Sequence, residues 1–341
     1  MQRESFFSTE LLDSLSIVSW GATDLAEPTS FHHFSDWIDR KDHIPLNYLA
    51  DERADKRESV KNIFPEFKIA FVFLFSYADI SKALRQFYES QQSNGLKIGS
   101  YVLGFEGADY HLVLLQRLEQ LKSEILSHFP DASFKHSLDI QPVLERDLAF
   151  RSGLGWFGKN SMLINKEFGS FFIIGSLLTD IELPSNFLGK IDTDHCGNCT
   201  ECIDLCPTDA IDPVNRTLIS QKCISTYTIE VFHPDRMQAP DKMEQANGEI
   251  YGCDICQDVC PWNKKAINSI QPKTIHELLN PDQRAVLEYF LEQPLEELYQ
   301  DLSSMSNKQF EKKFKTTPLA RTRRVGVLKN IEFWLKLKSD L

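Results

Sequence analysis

The sequence has no hydrophobic stretch long enough to cross a lipid bilayer. Its longest apolar run is Ile69–Tyr77, whereas a membrane-spanning helix needs about 20 apolar residues. The opening segment, MQRESFFSTELLDSL, lacks the apolar core and the cleavage site of a secretory signal, and it holds no twin-arginine pair. We therefore expect a cytoplasmic protein with no membrane partner.

Positive charge is also scarce in this chain. Lys and Arg number 37 against 49 Asp and Glu, so the net charge is −12, which argues against non-specific binding to nucleic acid. The balance reverses at the end of the chain, where residues 308–341 carry ten Lys and Arg but three Asp and Glu. We find no internal repeat and no low-complexity tract. The basic end is therefore a local feature of an acidic protein.

Three regions follow one another along the 341 residues. Residues 1–180 alternate strand-like runs, Ile69–Tyr77, Ser133–Asp139 and Ser170–Leu178, with a helical pattern at Asp109–Phe129. Residues 181–272 contain short segments and all the cysteines, and residues 273–341 have a helical, basic pattern. The pattern predicts the α+β class: an N-terminal α/β domain (1–180), a ferredoxin-like domain (181–272) and a helical C-terminal domain (273–341).

The eight cysteines form two runs, each ending in a proline. The first has the spacing C-x2-C-x2-C-x3-C-P that is typical of bacterial ferredoxins, in which the fourth cysteine binds the other [4Fe–4S] cluster. The second run is one cysteine short, and Cys223 is the one left to complete it. The crossover predicts two ligand sets: Cys196, Cys199, Cys202 and Cys260 for cluster 1, and Cys206, Cys223, Cys253 and Cys256 for cluster 2.

Zinc is the alternative ligand for such cysteines, because paired CxxC motifs also build four-cysteine zinc sites. The chained run with its proline favours clusters. A two-cluster domain can be a bare electron carrier, but a carrier needs few other residues. Here about 180 residues precede it, so we expect the clusters to serve an enzyme.

Several phrases resemble the epoxyqueuosine reductase family. They are DIQPVLERDLAFRSGLGWFGKN from Asp139 to Asn160, Asp109-Tyr110-His111, CGNCTECIDLCPTDAI, YGCDICQDVCPWNK, and TPLAR ahead of Lys329-Asn330. The resemblance implies an oxidoreductase that uses cobalamin and two [4Fe–4S] clusters to reduce epoxyqueuosine to queuosine at the wobble position of tRNA. It also implies that the C-terminal helices are HEAT-like and that residues 1–180 bind cobalamin.

The same resemblance supplies candidate site residues. Asp139 is implied as the acid that protonates the departing epoxide oxygen. A carboxylic acid that donates near neutral pH needs a raised pKa, which an apolar site provides, so we expect this residue to be buried. Only half of the D-x-H-x-x-G cobalamin motif is present at Asp109, so a histidine ligand to cobalt is not expected. The positions implied to contact the corrin are Arg57, Gly99, Asp139, Leu163, Ile174, Ser225 and Asp254.

The substrate implied by the resemblance is tRNA carrying epoxyqueuosine, and its phosphates need cations. The densest candidate patch is Arg321, Arg323, Arg324 and Lys329. The family phrase TIE-x-KG reads Thr228-Ile-Glu-Val-Phe-His233 here and lacks its lysine. We expect a monomer served by an external electron donor. The alternatives are a reductive dehalogenase-like enzyme acting on a small molecule and a ferredoxin-type carrier.

Overall fold

The apolar run at Ile69 forms a central strand of an antiparallel sheet. The computed structural model describes residues 6–233 and 235–339, and its main sheet has the strand order β1-β2-β7-β4, with every pairing antiparallel. Strands β3 and β8 pair in parallel, and β5 and β6 form a small hairpin. The strands are β1 (Ile17–Asp24), β2 (Ile69–Ser76), β3 (Lys97–Ile98), β4 (Phe134–Ser137), β5 (Trp156–Phe157), β6 (Leu163–Ile164), β7 (Phe172–Thr179) and β8 (Glu249–Tyr251).

Helices cover both faces of this sheet and continue to the end of the described chain. They are α1 (Thr9–Ser14), α2 (Phe31–Asp39), α3 (Arg53–Lys56), α4 (Ala78–Tyr88), α5 (Tyr110–His128), α6 (Glu145–Arg151), α7 (Glu201–Asp204), α8 (Ile224–Glu230), α9 (Ile255–Asp258), α10 (Pro261–Ser269), α11 (Ile275–Leu278), α12 (Pro281–Leu287), α13 (Leu295–Ser304), α14 (Asn307–Phe314) and α15 (Arg323–Ser339). No helix within these described residues is both long and apolar enough to cross a membrane.

Strand β2 is apolar from Ile69 to Phe75, and these residues are buried on both faces of the strand. Successive side chains of a strand point to opposite faces. Phe71, Phe73 and Phe75 pack with the leucines of α5, whereas Val72 and Leu74 pack with α6 on the other face. The sheet therefore holds α6, and the loop that precedes it, in a fixed place.

The α+β class is confirmed, and the predicted elements appear close to their predicted bounds. The run predicted at Ser170–Leu178 is β7, and the helical pattern at Asp109–Phe129 is α5, with Asp109 accepting a hydrogen bond from the His111 backbone N–H at its start. The three domain boundaries stay a prediction. One hydrophobic core contains Leu84, Tyr227 and Leu298, which come from all three predicted regions.

Candidate active site and cluster-binding loops

The electrostatic interactions among the thiols mostly follow the predicted ligand sets, although Cys202 of the first set also acts on Cys256 of the second, and the assignment stays a prediction. Burial, followed by the thiols of Cys260, Cys196 and Cys199, raises the pKa of Cys202 to about 11. Burial, followed by the thiols of Cys223 and Cys206, raises the pKa of Cys256 well above its usual value. Cys253 likewise lies beside Cys256 and Cys223. Cysteines that are distant in sequence are thus neighbours in space, as a crossed pair of cluster sites requires.

Two of these cysteines directly precede helices. Cys223 lies at the start of α8 and Cys260 at the start of α10. Burial raises the pKa of both thiols, while backbone N–H groups of the first helical turn, from Thr226 in one case and Asn263 in the other, oppose that rise. Such N–H groups favour the thiolate, which is the form that binds metal.

A site for a single metal ion needs its ligands closer together than a cluster site does. Within residues 6–233 and 235–339, no three His, Cys, Asp or Glu side chains converge closely enough to hold one metal ion. In a [4Fe–4S] cluster four cysteines surround four irons. The thiols therefore need to enclose the cluster and do not need to meet at one point.

The glycine-rich loop of residues 152–160 contacts both cysteine regions. Lys159 Nζ donates to the carbonyl oxygens of Gly197 (2.7 Å) and Cys199 (2.9 Å). Asn160 Nδ2 donates to the carbonyl oxygen of Cys256 at 3.3 Å. The sequence indicated a tight backbone here but no partner for it. The lysine and asparagine that end the glycine run were the available signal.

A glycine in this loop is required by a close backbone approach. Gly155 has φ +152°, and a Cβ built on it would lie 2.1 Å from the carbonyl oxygen of Ile164. Any side chain would push β5 away from β6. The loop that reaches the cysteines therefore depends on this residue for its shape.

A buried polar network joins the sheet to the helix that follows the last cysteine. The Ser170 N–H donates to Asn263 Oδ1 at 2.6 Å, and its hydroxyl donates to Gln257 Oε1 at 2.9 Å. Asn263 and Ser170 are almost fully buried. Buried polar groups with satisfied partners specify one arrangement, so this network fixes the cysteine region against β7.

Asp139 follows β4 in a left-handed turn, with φ +56°. Its Oδ2 accepts a hydrogen bond from Tyr110 Oη at 2.9 Å. Its backbone N–H donates to Glu145 Oε1 at 2.8 Å, and the same oxygen accepts from Ser137 Oγ at 2.7 Å. The expectation that Asp139 is buried is wrong for this structure, because the residue is exposed. The turn projects it from the sheet, and a backbone and a side-chain contact hold it there.

Other ionisable groups surround this aspartate. Burial, and then the Asp139 carboxylate, raise the pKa of Glu145 to about 7. Desolvation lowers the pKa of Arg321, but Glu230, whose Oε1 lies 3.5 Å from Arg321 Nη2, and then Tyr110 and Asp139 outweigh it and raise that pKa. The exposed Asp139 therefore contacts a buried tyrosine and lies close enough to Arg321 to interact with it electrostatically.

Comparison with known proteins decides the family. Residues 195–263 match the family model of the 4Fe-4S double cluster binding domain. The epoxyqueuosine reductase of Cyclobacterium marinum is 34% identical over 87% of this chain and 85% of that protein. That of Leadbetterella byssophila is 34% identical over 87% of this chain and 86% of its own. This chain belongs to the epoxyqueuosine reductase family.

Solved structures of epoxyqueuosine reductases share the fold. The Streptococcus thermophilus enzyme superposes with a TM-score of 0.72 at 22% identity, covering 94% of this chain and 78% of that one. A Bacillus subtilis structure, which has its catalytic loop swung out of the active site, gives 0.68 at 25% identity over 94% and 79%. The predictions of an oxidoreductase and of iron–sulfur binding are confirmed by the family match and the double-cluster domain.

Of the seven positions carried over from epoxyqueuosine reductases for the corrin, two pairs are neighbours in the structure. Asp254 Oδ2 accepts hydrogen bonds from the backbone N–H and the hydroxyl of Ser100, both at 2.7 Å, directly beside Gly99. Leu163 and Ile174 pack in one hydrophobic cluster. The remaining three are Asp139, Arg57, which interacts electrostatically with it, and Ser225, in the first turn of α8.

The predicted four-residue tRNA patch of this epoxyqueuosine reductase is not one surface. Lys329 as a phosphate contact is wrong: the residue is 7% exposed, and its Nζ donates to the Tyr227 carbonyl oxygen at 2.9 Å. Burial lowers the pKa of Lys329 to about 7. Arg324 donates to the Leu302 carbonyl oxygen at 3.0 Å. Arg323 is exposed, and Arg321 lies near Asp139.

Proposed function

We propose that this member of the epoxyqueuosine reductase family reduces epoxyqueuosine to queuosine at the wobble position of tRNA, with Asp139 as the proton donor. The observation that carries the proposal is the exposed Asp139, whose carboxyl accepts from Tyr110 and whose backbone N–H donates to Glu145, in a chain with eight cysteines in two runs. Converting the epoxide to an alkene takes two electrons and two protons and releases the oxygen as water. Side chains do not supply such electrons, so cofactors must.

The electron supply follows from the cysteine sets together with a corrin. When bound, cobalamin would supply a low-valent cobalt centre capable of two-electron reduction. The residues that would hold it are Asp254 and Gly99, the apolar pair Leu163 and Ile174, and, separately, Arg57 and Ser225. Asp254 fits this role because it already fixes the Gly99-Ser100 backbone through two hydrogen bonds. The external electron donor would reduce the clusters.

The protein's own contribution at the epoxide is a positioned proton. Tyr110 Oη donates a hydrogen bond to Oδ2 of Asp139. The other carboxyl oxygen, Oδ1, is therefore the one available to carry the proton toward the substrate. A wobble nucleoside placed over this exposed carboxyl would remove water from it, and desolvation favours the protonated form. The proton then passes to the epoxide oxygen as the C–O bond breaks, as general acid catalysis requires.

The direct test is anaerobic turnover. Protein with both clusters and cobalamin, a chemical reductant, and tRNA carrying epoxyqueuosine should give queuosine, seen by mass spectrometry as loss of one oxygen. A small halogenated aromatic compound in place of tRNA tests the dehalogenase alternative. Unchanged nucleoside together with loss of halide would overturn the proposal in favour of that alternative.

Glu145 provides a prediction about how the aspartate is held. Glu145→Ala removes the oxygen that accepts from the Asp139 N–H and from Ser137, so the turn loses its support. We expect kcat to fall by roughly 10–100-fold, because small misplacements of a catalytic group cost that much, with KM for tRNA and iron content unchanged. Glu145→Gln keeps an acceptor oxygen and should retain most of the activity.

The pH dependence separates this role from simple folding. The folded-state pKa of about 7 lies above the usual 4.5, so this carboxyl contributes stability below about pH 4.5 that is lost as the pH rises through about 7. In Glu145→Gln the free energy of unfolding should therefore depend less on pH between about 4.5 and 7 than it does in the parent protein. The same low kcat in the Ala and Gln variants would contradict a positioning role for the acceptor oxygen.

We also propose that Arg323, together with Arg321, contacts the phosphates of the anticodon loop beside Asp139. A wobble base is unpaired and can be drawn into a pocket, and the flanking phosphates then need nearby cations. Arg323→Gln should weaken tRNA binding and reduce the salt slope of the association constant by about one. Fluorescence anisotropy against salt concentration measures both.

The matched control for that experiment is Lys312→Gln, which removes the same charge from an exposed residue of α14. Its affinity and salt slope should stay at the parent values. If both variants behave alike, tRNA is attracted by general charge and Arg323 makes no particular contact. We also propose that the enzyme acts on tRNA in the cytoplasm, as a monomer.

A further inference from the structure

Two side chains of the glycine-rich loop, one a cation and one an N–H donor, contact the cysteine segment that would hold cluster 1. Lys159 is half-buried, and its ammonium group bonds to the carbonyl oxygens of Gly197 and Cys199. Trp156 is 1% exposed, and its indole Nε1 lies 3.5 Å from Cys196 Sγ, to which it donates. Both contacts are to the segment that supplies three of the four cluster 1 ligands.

We propose that Lys159 and Trp156 raise the midpoint potential of cluster 1 relative to the same cluster without them. Reduction adds one negative charge to a cluster, so a cation nearby favours the reduced state. Hydrogen bonds to cluster sulfurs act in the same direction. The effect of a half-buried ammonium group is screened less than that of a surface lysine. The inference rests on the cysteine sets and does not depend on the tRNA substrate.

The effect should be larger at cluster 1 than at cluster 2. Lys159 bonds to the cluster 1 loop, whereas the loop reaches cluster 2 through the neutral amide of Asn160, which donates to the Cys256 carbonyl oxygen. Electrostatic energy falls with distance. The loop would thus raise the potential of cluster 1 more than that of cluster 2, in comparison with a chain that lacks the lysine and the indole.

The surroundings of Trp156 support a fixed geometry for this contact. Its ring packs edge to face with Trp262 at 5.1 Å and with His195 at 4.8 Å, and it shares a small hydrophobic cluster with Cys196 and Cys260. Two ligands of cluster 1 therefore lie in an apolar environment. In such an environment each N–H and each charge acts strongly on the cluster.

The test measures potentials of single clusters. In the Cys256→Ser background cluster 1 remains, and in the Cys199→Ser background cluster 2 remains, so each can be titrated by electron paramagnetic resonance. Lys159→Gln should shift the cluster 1 potential to a more negative value and the cluster 2 potential less. Lys159→Arg should restore the cluster 1 potential, because it restores the charge. Lys166→Gln, which removes an exposed lysine, should shift neither.

If Lys159 only held the loop in place and had no effect on the cluster potential, a different result would be expected. Iron content or thermal stability would change, while the potential of the retained cluster would stay at the parent value, and that result would overturn the proposal. If Lys159→Gln retains no iron, Trp156→Phe decides, since it removes the N–H and keeps a ring. A negative shift in that variant supports the proposal, and an unchanged potential overturns it. Neither result bears on epoxyqueuosine turnover, which is measured separately.

Discussion

Asp139→Asn is expected to lower turnover of epoxyqueuosine in tRNA by about 10²–10⁴-fold, the range in which general acids contribute. Asparagine has the shape of aspartate and tolerates the left-handed backbone that Asp139 adopts. Its side-chain oxygen can still accept the Tyr110 hydrogen bond. What is lost is the acidic proton. Single-turnover kinetics with saturating tRNA measure the loss, and both clusters and the bound corrin should remain.

The matched control is Asp131→Asn, the same change at an exposed residue ahead of β4. Its turnover should equal that of the parent. Equal turnover in the Asp139 variant would mean that a water or another group protonates the oxygen. A variant with lost iron would instead show that the Asp139 carboxylate, which accepts from Tyr110, supports the fold.

The strands and the long helix were predictable because their signals are local. Seven successive apolar residues at Ile69 need burial on both faces, and the leucines of α5 recur at helical spacing. The antiparallel arrangement was not predictable from these segments. It depends on which strand lies beside which, and β2 pairs with β7 across about a hundred residues of chain.

The double-cluster domain was predictable for a different reason, whereas the division of its cysteines into two sets stays a prediction. Cluster ligands repeat at short, fixed spacings, and eight cysteines leave no spare. The residues that form hydrogen bonds with Asp139 have no fixed spacing in the sequence by which they could be recognised. Tyr110 precedes it by 29 residues, and only the folded sheet brings α5 beside the turn. The same is true of Lys159, which reaches the Cys199 carbonyl across 40 residues.

Lys329 shows why counting charges along the sequence misled the tRNA prediction. The last carbonyl groups of a helix have no partner within it. At the end of α8 these carbonyl groups accept hydrogen bonds from side chains of α15 and of the turn before it. The Tyr227 carbonyl oxygen accepts from Lys329 and the Thr228 carbonyl oxygen from Asn330. The Ile229 carbonyl oxygen accepts from Thr322. The lysine is therefore a buried group of α15 that satisfies a carbonyl at the end of α8, the helix that follows Cys223, a predicted cluster 2 ligand.

Exchange of single cysteines is expected to remove clusters one at a time, and it tests the crossed ligand sets. The parent should hold about eight irons after anaerobic reconstitution. Cys199→Ser should lower this to about four by removing cluster 1, and Cys256→Ser should do the same by removing cluster 2. Electron transfer to the active site then stops, so turnover should fall to background in both. Iron analysis and electron paramagnetic resonance measure the result.

Double exchanges provide the decisive controls. Cys199→Ser with Cys260→Ser lies within one set, although the two residues are far apart in sequence, and about four irons should remain. Cys199→Ser with Cys206→Ser crosses the sets, although the residues are neighbours in one run, and almost no iron should remain. The reverse pattern would assign Cys206 to cluster 1 and Cys260 to cluster 2. Stoichiometric zinc in the anaerobically purified parent, without iron–sulfur absorption, would contradict both assignments.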